Sequence, residues 1–212
     1  MDAALETYQA RDFALWPVAA PSADGVLLLS GGLSPLEVGT AMAVWAGYNH
    51  DLDPGDPLAA DGLELVRRTV EAECTIAPGG LCVGDTVSGA LVRSGCCCGL
   101  ETWREWLDLA DGAEPWLGHD PSPRVEHLGP VVRIWPDGRD GRDGRDGREG
   151  RDGRPVEPAV AELDGLLEDV RGKLRGFLGL AGQWAERYAP SLARALVERL
   201  DTDWEISAPL RG

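Results

Sequence analysis

Residues 26–47 read VLLLSGGLSPLEVGTAMAVWAG, and the order of signals in this stretch decides the fold class. Four consecutive aliphatic residues, Val26 to Leu29, end at Ser30-Gly31-Gly32. An apolar run closed by glycines is the pattern of a short buried strand and a turn. Ser34-Pro35 follows, an N-cap residue with proline at the first helical position, and it opens a helix through about Gly47. Leu36, Met42 and Ala43 can share its inward side, although Gly39 and Gly47 weaken it. A strand feeding a helix through a short turn predicts a chain that mixes both element types.

The same mixture continues outward. Asn49 to Gly62 reads as a polar, turn-rich loop. Leu65 to Ile76 and Gly80 to Arg93 read as strands around the Pro78-Gly79-Gly80 turn. Leu100, Trp103, Leu107 and Ala110 recur at helical spacing, which predicts a short amphipathic helix over Leu100 to Ala110. Arg124 to Leu128 and Val131 to Trp135 form a hairpin around Gly129-Pro130. The expected fold is α+β, a small mixed or antiparallel sheet with helices, followed by a C-terminal helical segment.

Residues 138–154 read GRDGRDGRDGREGRDGR. Glycine at every third position resembles collagen, but a triple helix needs imino acids between the glycines, and only Pro155 follows. With no apolar residue the repeat has nothing to bury and is expected to be a disordered linker. It divides the chain into an acidic α+β domain over 1–137, the linker over 138–155 and a helical segment over 156–212 packed on the first domain. In that last segment Val160, Leu163, Leu167, Val170, Leu174, Phe177 and Leu178 make one apolar stripe. Gly172, Gly176, Gly179 and Gly182 interrupt it, so a break near Gly179 is expected. Tyr188, Leu192, Leu196 and Leu200 make a second stripe, separated by Pro190.

The formal charge is −16, and residues 1–137 carry 21 acidic residues against 7 arginines. Such a surface repels phosphate backbones and anionic headgroups, which argues against nucleic-acid and membrane partners. It attracts a basic protein. No segment has the length of a bilayer-spanning helix. Met1 to Ala10 lacks the basic start of a secretory signal, and five cysteines, three of them consecutive, suit a reducing compartment. A cytoplasmic protein is expected.

Chemistry concentrates between Gly95 and Pro123. The stretch runs Gly95-Cys96-Cys97-Cys98-Gly99-Leu100-Glu101-Thr102-Trp103-Arg104-Glu105-Trp106, and later Trp116-Leu117-Gly118-His119-Asp120-Pro121-Ser122-Pro123. It resembles a recurring motif of uncharacterised proteins of high-GC bacteria, and the resemblance implies no fold, site or reaction. The residues themselves leave three readings. Cys96 and Cys98, with Cys82 or Cys74 and with His119, have the donor set of a tetrahedral zinc site, but no C-x-x-C pair is present. Cys98 stands before a helix start, where a thiol pKa falls, with His119 as base and Asp120 as its orienter. Alternatively the cysteines are small hydrophobes packed in a tight turn framed by Gly95 and Gly99.

The acidic loop from Asp51 fails the EF-hand pattern, since glycine stands at position 5 and aspartate at position 6. No P-loop, dinucleotide fingerprint, G-x-S-x-G or H-E-x-x-H occurs. Eight tryptophans are expected to lie mostly in the core, and any exposed one would mark a binding surface. The acidic charge, the tryptophans and the absent catalytic motifs point to a non-enzymatic interaction module for a basic partner, of which a neutralising or immunity-type protein is one concrete form. The alternative is a metal-binding or thiol-reactive protein centred on Cys96 and Cys98 with His119.

Overall fold

A computed structural model describes residues 1–51, 61–95, 97–119, 123–136 and 153–211. Most of the Asn49–Gly62 loop, Cys96, Asp120 and nearly all of the Gly-Arg-Asp repeat lie outside the described residues. The fold is α+β. Four strands, β1 (Asp2–Glu6), β2 (Val26–Leu28), β3 (Gly79–Gly84) and β4 (Leu91–Arg93), form an antiparallel sheet in the order β2-β1-β3-β4. β5 (Arg124–Leu128) and β6 (Val131–Trp135) form the expected hairpin, which stands as a second, two-stranded sheet with Gly129 at φ +69° in its turn.

The strand expected at Val26 exists, but it is an edge strand rather than a buried one. Leu29 is buried, whereas Leu28 is 49% exposed. Helix α1 (Pro35–Asp51) starts where the Ser34-Pro35 signal places it. Ser34 Oγ accepts from the Glu37 N–H at 3.3 Å and the Glu37 carboxylate accepts from the Ser34 N–H at 2.7 Å. That reciprocal capping box satisfies two otherwise orphaned donors. Val38 to Ala46 are all buried, so the middle of α1 is enclosed on every side, as a helix stretch apolar all round must be. Gly39 makes the enclosure possible: a Cβ there would sit 2.2 Å from the Pro17 carbonyl oxygen.

The strand expected over Leu65–Ile76 is instead helix α2 (Gly62–Glu71). Asp61 caps it, its side chain accepting from the Glu64 N–H at 2.9 Å. Leu65, Val66 and Thr69 form its buried face. The Asp61 cap and the buried face set the local structure here, since strand propensity yields to context. The segment Leu100–Asp111 is a helix, but a 3₁₀ helix of 12 residues. Its buried residues, Leu100, Trp103, Trp106 and Leu109, recur at a spacing of three. A three-residue turn brings those residues onto one line, whereas the expected α spacing had put Leu107 and Ala110 there.

Helix α3 (Val160–Tyr188) runs unbroken through Gly179, contrary to the expected break. Leu163, Leu167, Val170, Leu174, Phe177, Ala181 and Trp184 are buried along it. Their burial outweighs the ~1 kcal/mol lost at each glycine. A short 3₁₀ turn from Pro190 precedes α4 (Ala193–Asp203), whose Leu196 and Leu200 are buried. The core thus lies on one face of the four-stranded sheet, where Ala3, Leu5, Leu81, Val83 and Val92 meet α1, α3 and the long 3₁₀ helix. The opposite face of the sheet is not part of that core.

Candidate functional site

The cysteine corner is built by the return of the chain after β4. The Gly95 N–H donates to the Leu117 carbonyl at 2.7 Å, and the Gly79 N–H donates to the Cys98 carbonyl at 3.2 Å. These bonds tie Gly95 to Leu117 and Cys98 to the start of β3. Cys98 is buried, with Sγ 3.4 Å from the Trp116 carbonyl oxygen. Burial, reinforced by the Glu105 carboxylate, pushes its thiol up to about 11 against the opposing bond from Ser94. The position before a helix start predicts a lowered value, but desolvation disfavours the thiolate more than the helix end favours it. At neutral pH Cys98 therefore keeps its proton.

Cys82 lies in β3, buried, and its thiol is likewise pushed up to about 11 by burial. Cys97 and Cys74 are exposed. Cys97 stands at φ +65°, in the left-handed region that a residue with a Cβ adopts at a cost. His119 is exposed, and its ring centroid is 6.0 Å from that of Trp116, which is 58% exposed. Among the described residues no group of three His, Cys, Asp or Glu side chains is placed to hold a metal ion. Cys98 and the Trp116–His119 segment are brought together. Cys82 lies on the outer face of the sheet, two residues along β3 from Gly80, against which Ser94 and Cys98 pack.

The outer face of the four-stranded sheet holds a further set of residues. Alternation along the strands turns Asp2, Ala4 and Glu6 of β1, Val26 and Leu28 of β2, Gly80, Cys82 and Gly84 of β3, and Leu91 and Arg93 of β4 to one side. The central positions are small and the flanking ones are large: Leu28 is 49% and Leu91 45% exposed, on the two outer strands. Between them lies a cleft of about 410 Å³ that also includes Asp24 and Asp85. Arg93 donates to the Asp24 carboxylate at 3.0 Å, joining the last strand to the turn before β2 across the two intervening strands. A second cleft, of about 250 Å³, lies between β2, residues 19–22 and the start of α1.

The face is acidic. Hydrogen bonding within the turn, with help from Arg93, holds the Asp24 carboxyl below its ordinary value, and bonds from Ser88 and Val87 do the same for Asp85. Desolvation pushes the half-buried Glu6 carboxyl up instead, and its side chain has no ion pair among the described residues. Asp2 is held by Lys173 at 2.5 Å. Asp24, Arg93, Leu28 and Leu91 carry no signal in the sequence. Residues 26–29 show no alternation, and the Asp24–Arg93 pair is 69 residues apart. No family model matches the chain, and no curated protein or solved structure matches it significantly.

Proposed function

We propose that the chain is a non-enzymatic interaction protein that binds a basic protein partner on the outer face of its four-stranded sheet. One observation carries the reading: exposed Leu28 and Leu91 stand at either side of a cleft whose borders include Asp2, Asp24 and Asp85. Exposed apolar side chains and carboxylates gathered around one cleft suit a protein interface. The overall charge of −16 gives such a face a long-range attraction for cations. Glu6 adds a short-range one, because a partly desolvated carboxylate without a counter-ion gains most from an incoming ammonium or guanidinium.

The test is native mass spectrometry of protein purified gently at low salt, followed by titration of the co-purifying partner between 50 and 500 mM salt. A basic partner whose affinity falls steeply over that range supports the reading. A partner whose affinity is indifferent to salt, or one that is itself acidic, overturns it. The variant Asp24→Asn/Asp85→Asn should slow association several-fold while leaving the melting temperature within a few degrees.

A further inference from the structure

The geometry points to the outer edge of β2 as the place where an extended, basic segment of the partner adds to the sheet as a fifth strand. This inference rests on the reading above and specifies how the partner docks. Ladder bonds between β1 and β2 fall on alternate residues. The Leu29 N–H donates to Ala3 at 2.8 Å and the Thr7 N–H donates to Gly25 at 2.8 Å. The backbone groups of Val26 and Leu28 therefore point away from the sheet. Val26 is closed off by one hydroxyl: Ser22 Oγ accepts from its N–H at 3.1 Å and donates to its carbonyl at 3.0 Å. Leu28 has no such closure, and its N–H and carbonyl have no hydrogen-bond partner among the described residues. A donor and an acceptor on one outward-facing residue are the pair that an antiparallel strand exchanges.

The surroundings state what the added strand carries. Its side chains alternate between two sides. On the core side they meet the cleft of about 250 Å³ lined by Ala10, Ala19, Leu33 and Thr40, which suits an aliphatic side chain. Glu37 stands in the wall of the same cleft. On the outer side they meet Leu28 and Val26, with Glu6 and the Arg93-paired Asp24 beside them. Alternating aliphatic and basic residues fit both sides. The open edge is only one residue wide, so these side-chain contacts supply specificity that the backbone pair alone cannot.

The test uses the full chain and a fluorescein-labelled heptapeptide, Lys-Val-Lys-Leu-Lys-Val-Lys, followed by fluorescence anisotropy at 50 and 300 mM salt. Its comparators are the same peptide N-methylated at alternate amides and a Glu-for-Lys copy. The protein variants are Leu28→Pro and Leu28→Ala. Proline at an outward-facing edge position removes only the free N–H, so the sheet tolerates it. The expected result is salt-sensitive binding of the Lys peptide, a Kd raised at least tenfold by Leu28→Pro and by N-methylation, and a smaller change with Leu28→Ala. If the Lys peptide binds equally well when N-methylated, strand addition is overturned while the basic-partner reading stands. If neither charged peptide binds at 50 mM salt, both are overturned.

Discussion

Trp103 donates its indole N–H to the backbone carbonyl of Trp204 at 2.7 Å, joining residues 101 positions apart. Both side chains are fully buried. The bond fastens the long 3₁₀ helix to the end of α4, and Phe177 of α3 stacks on the Trp204 ring with centroids 5.8 Å apart. Three segments distant in sequence therefore meet at one point. Trp103→Phe keeps an aromatic ring but leaves the Trp204 carbonyl buried and unpaired, at a cost of about 1–3 kcal/mol. Thermal unfolding should show a fall in melting temperature of several degrees. An unchanged melting temperature would mean that the bond contributes nothing net.

Gly31 and Gly176 touch through their backbones. A Cβ on Gly176 would lie 2.8 Å from both the Cα and the N of Gly31. Alanine ordinarily stabilises a helix interior relative to glycine by about 1 kcal/mol. At Gly165 and Gly172 nothing lies within 4 Å of an added Cβ, so Gly165→Ala and Gly172→Ala should raise stability by roughly that amount. Gly176→Ala should do the opposite, destabilising by about 1–3 kcal/mol because backbone cannot yield as a side chain does. Denaturant titration of the three variants checks the difference in sign.

Local chemistry was legible in the sequence where it is self-contained. Ser34, Pro35 and Glu37 form a complete helix start within four residues, and the Gly129-Pro130 hairpin is equally local. What depends on distant partners was not. Asp2–Glu6 is the central strand next to β3, yet Ala3-Ala4-Leu5 has little β propensity and carries no strand signal. Its place is set by Gly79, which lets the Ala4 carbonyl approach so closely that an added Cβ would lie 2.1 Å away. The outer sheet face was invisible for the same reason. Leu28, Leu91, Asp24 and Arg93 come together only when β1 and β3 lie between them. The cysteine run, conspicuous in sequence, splits into an exposed Cys97 and a buried Cys98.

The thiols should respond to pH with a definite sign. Burial raises Cys82 and Cys98 from the ordinary 9.0 to about 11. Below pH 9 both the folded and unfolded chains keep these protons, and the stability associated with them is fully present. Between pH 9 and 11 the unfolded chain releases protons that the folded one holds, so stability falls by about 1.4 kcal/mol per pH unit for each thiol. Cys82→Ala/Cys98→Ala should show a shallower decline in unfolding free energy over that window. Iodoacetamide at pH 8 should label Cys74 and Cys97 at once, and Cys82 and Cys98 only as the protein unfolds, read by peptide mass.

Removing the Gly-Arg-Asp repeat should leave the fold intact, because the chain on both sides of it is tied together. The Val156 N–H donates to the Ile134 carbonyl and the Ile134 N–H donates to the Val156 carbonyl, each at 2.9 Å. Val132 donates to Pro158 at 3.0 Å, and Val156 is buried in the core. Deleting residues 139–153 shortens the connection between Ile134 and Val156 from 21 residues to 6. Closing a shorter connection costs less entropy, by about 1 kcal/mol for this ratio of lengths. Six residues are also within the ordinary range for joining two paired segments. The deletion variant should therefore melt at the same temperature as the full chain or slightly above it in a calorimetric scan. A fall of more than about 5 °C, beyond the shift that 1 kcal/mol produces in a chain of this size, would show that the repeat makes contacts the fold depends on.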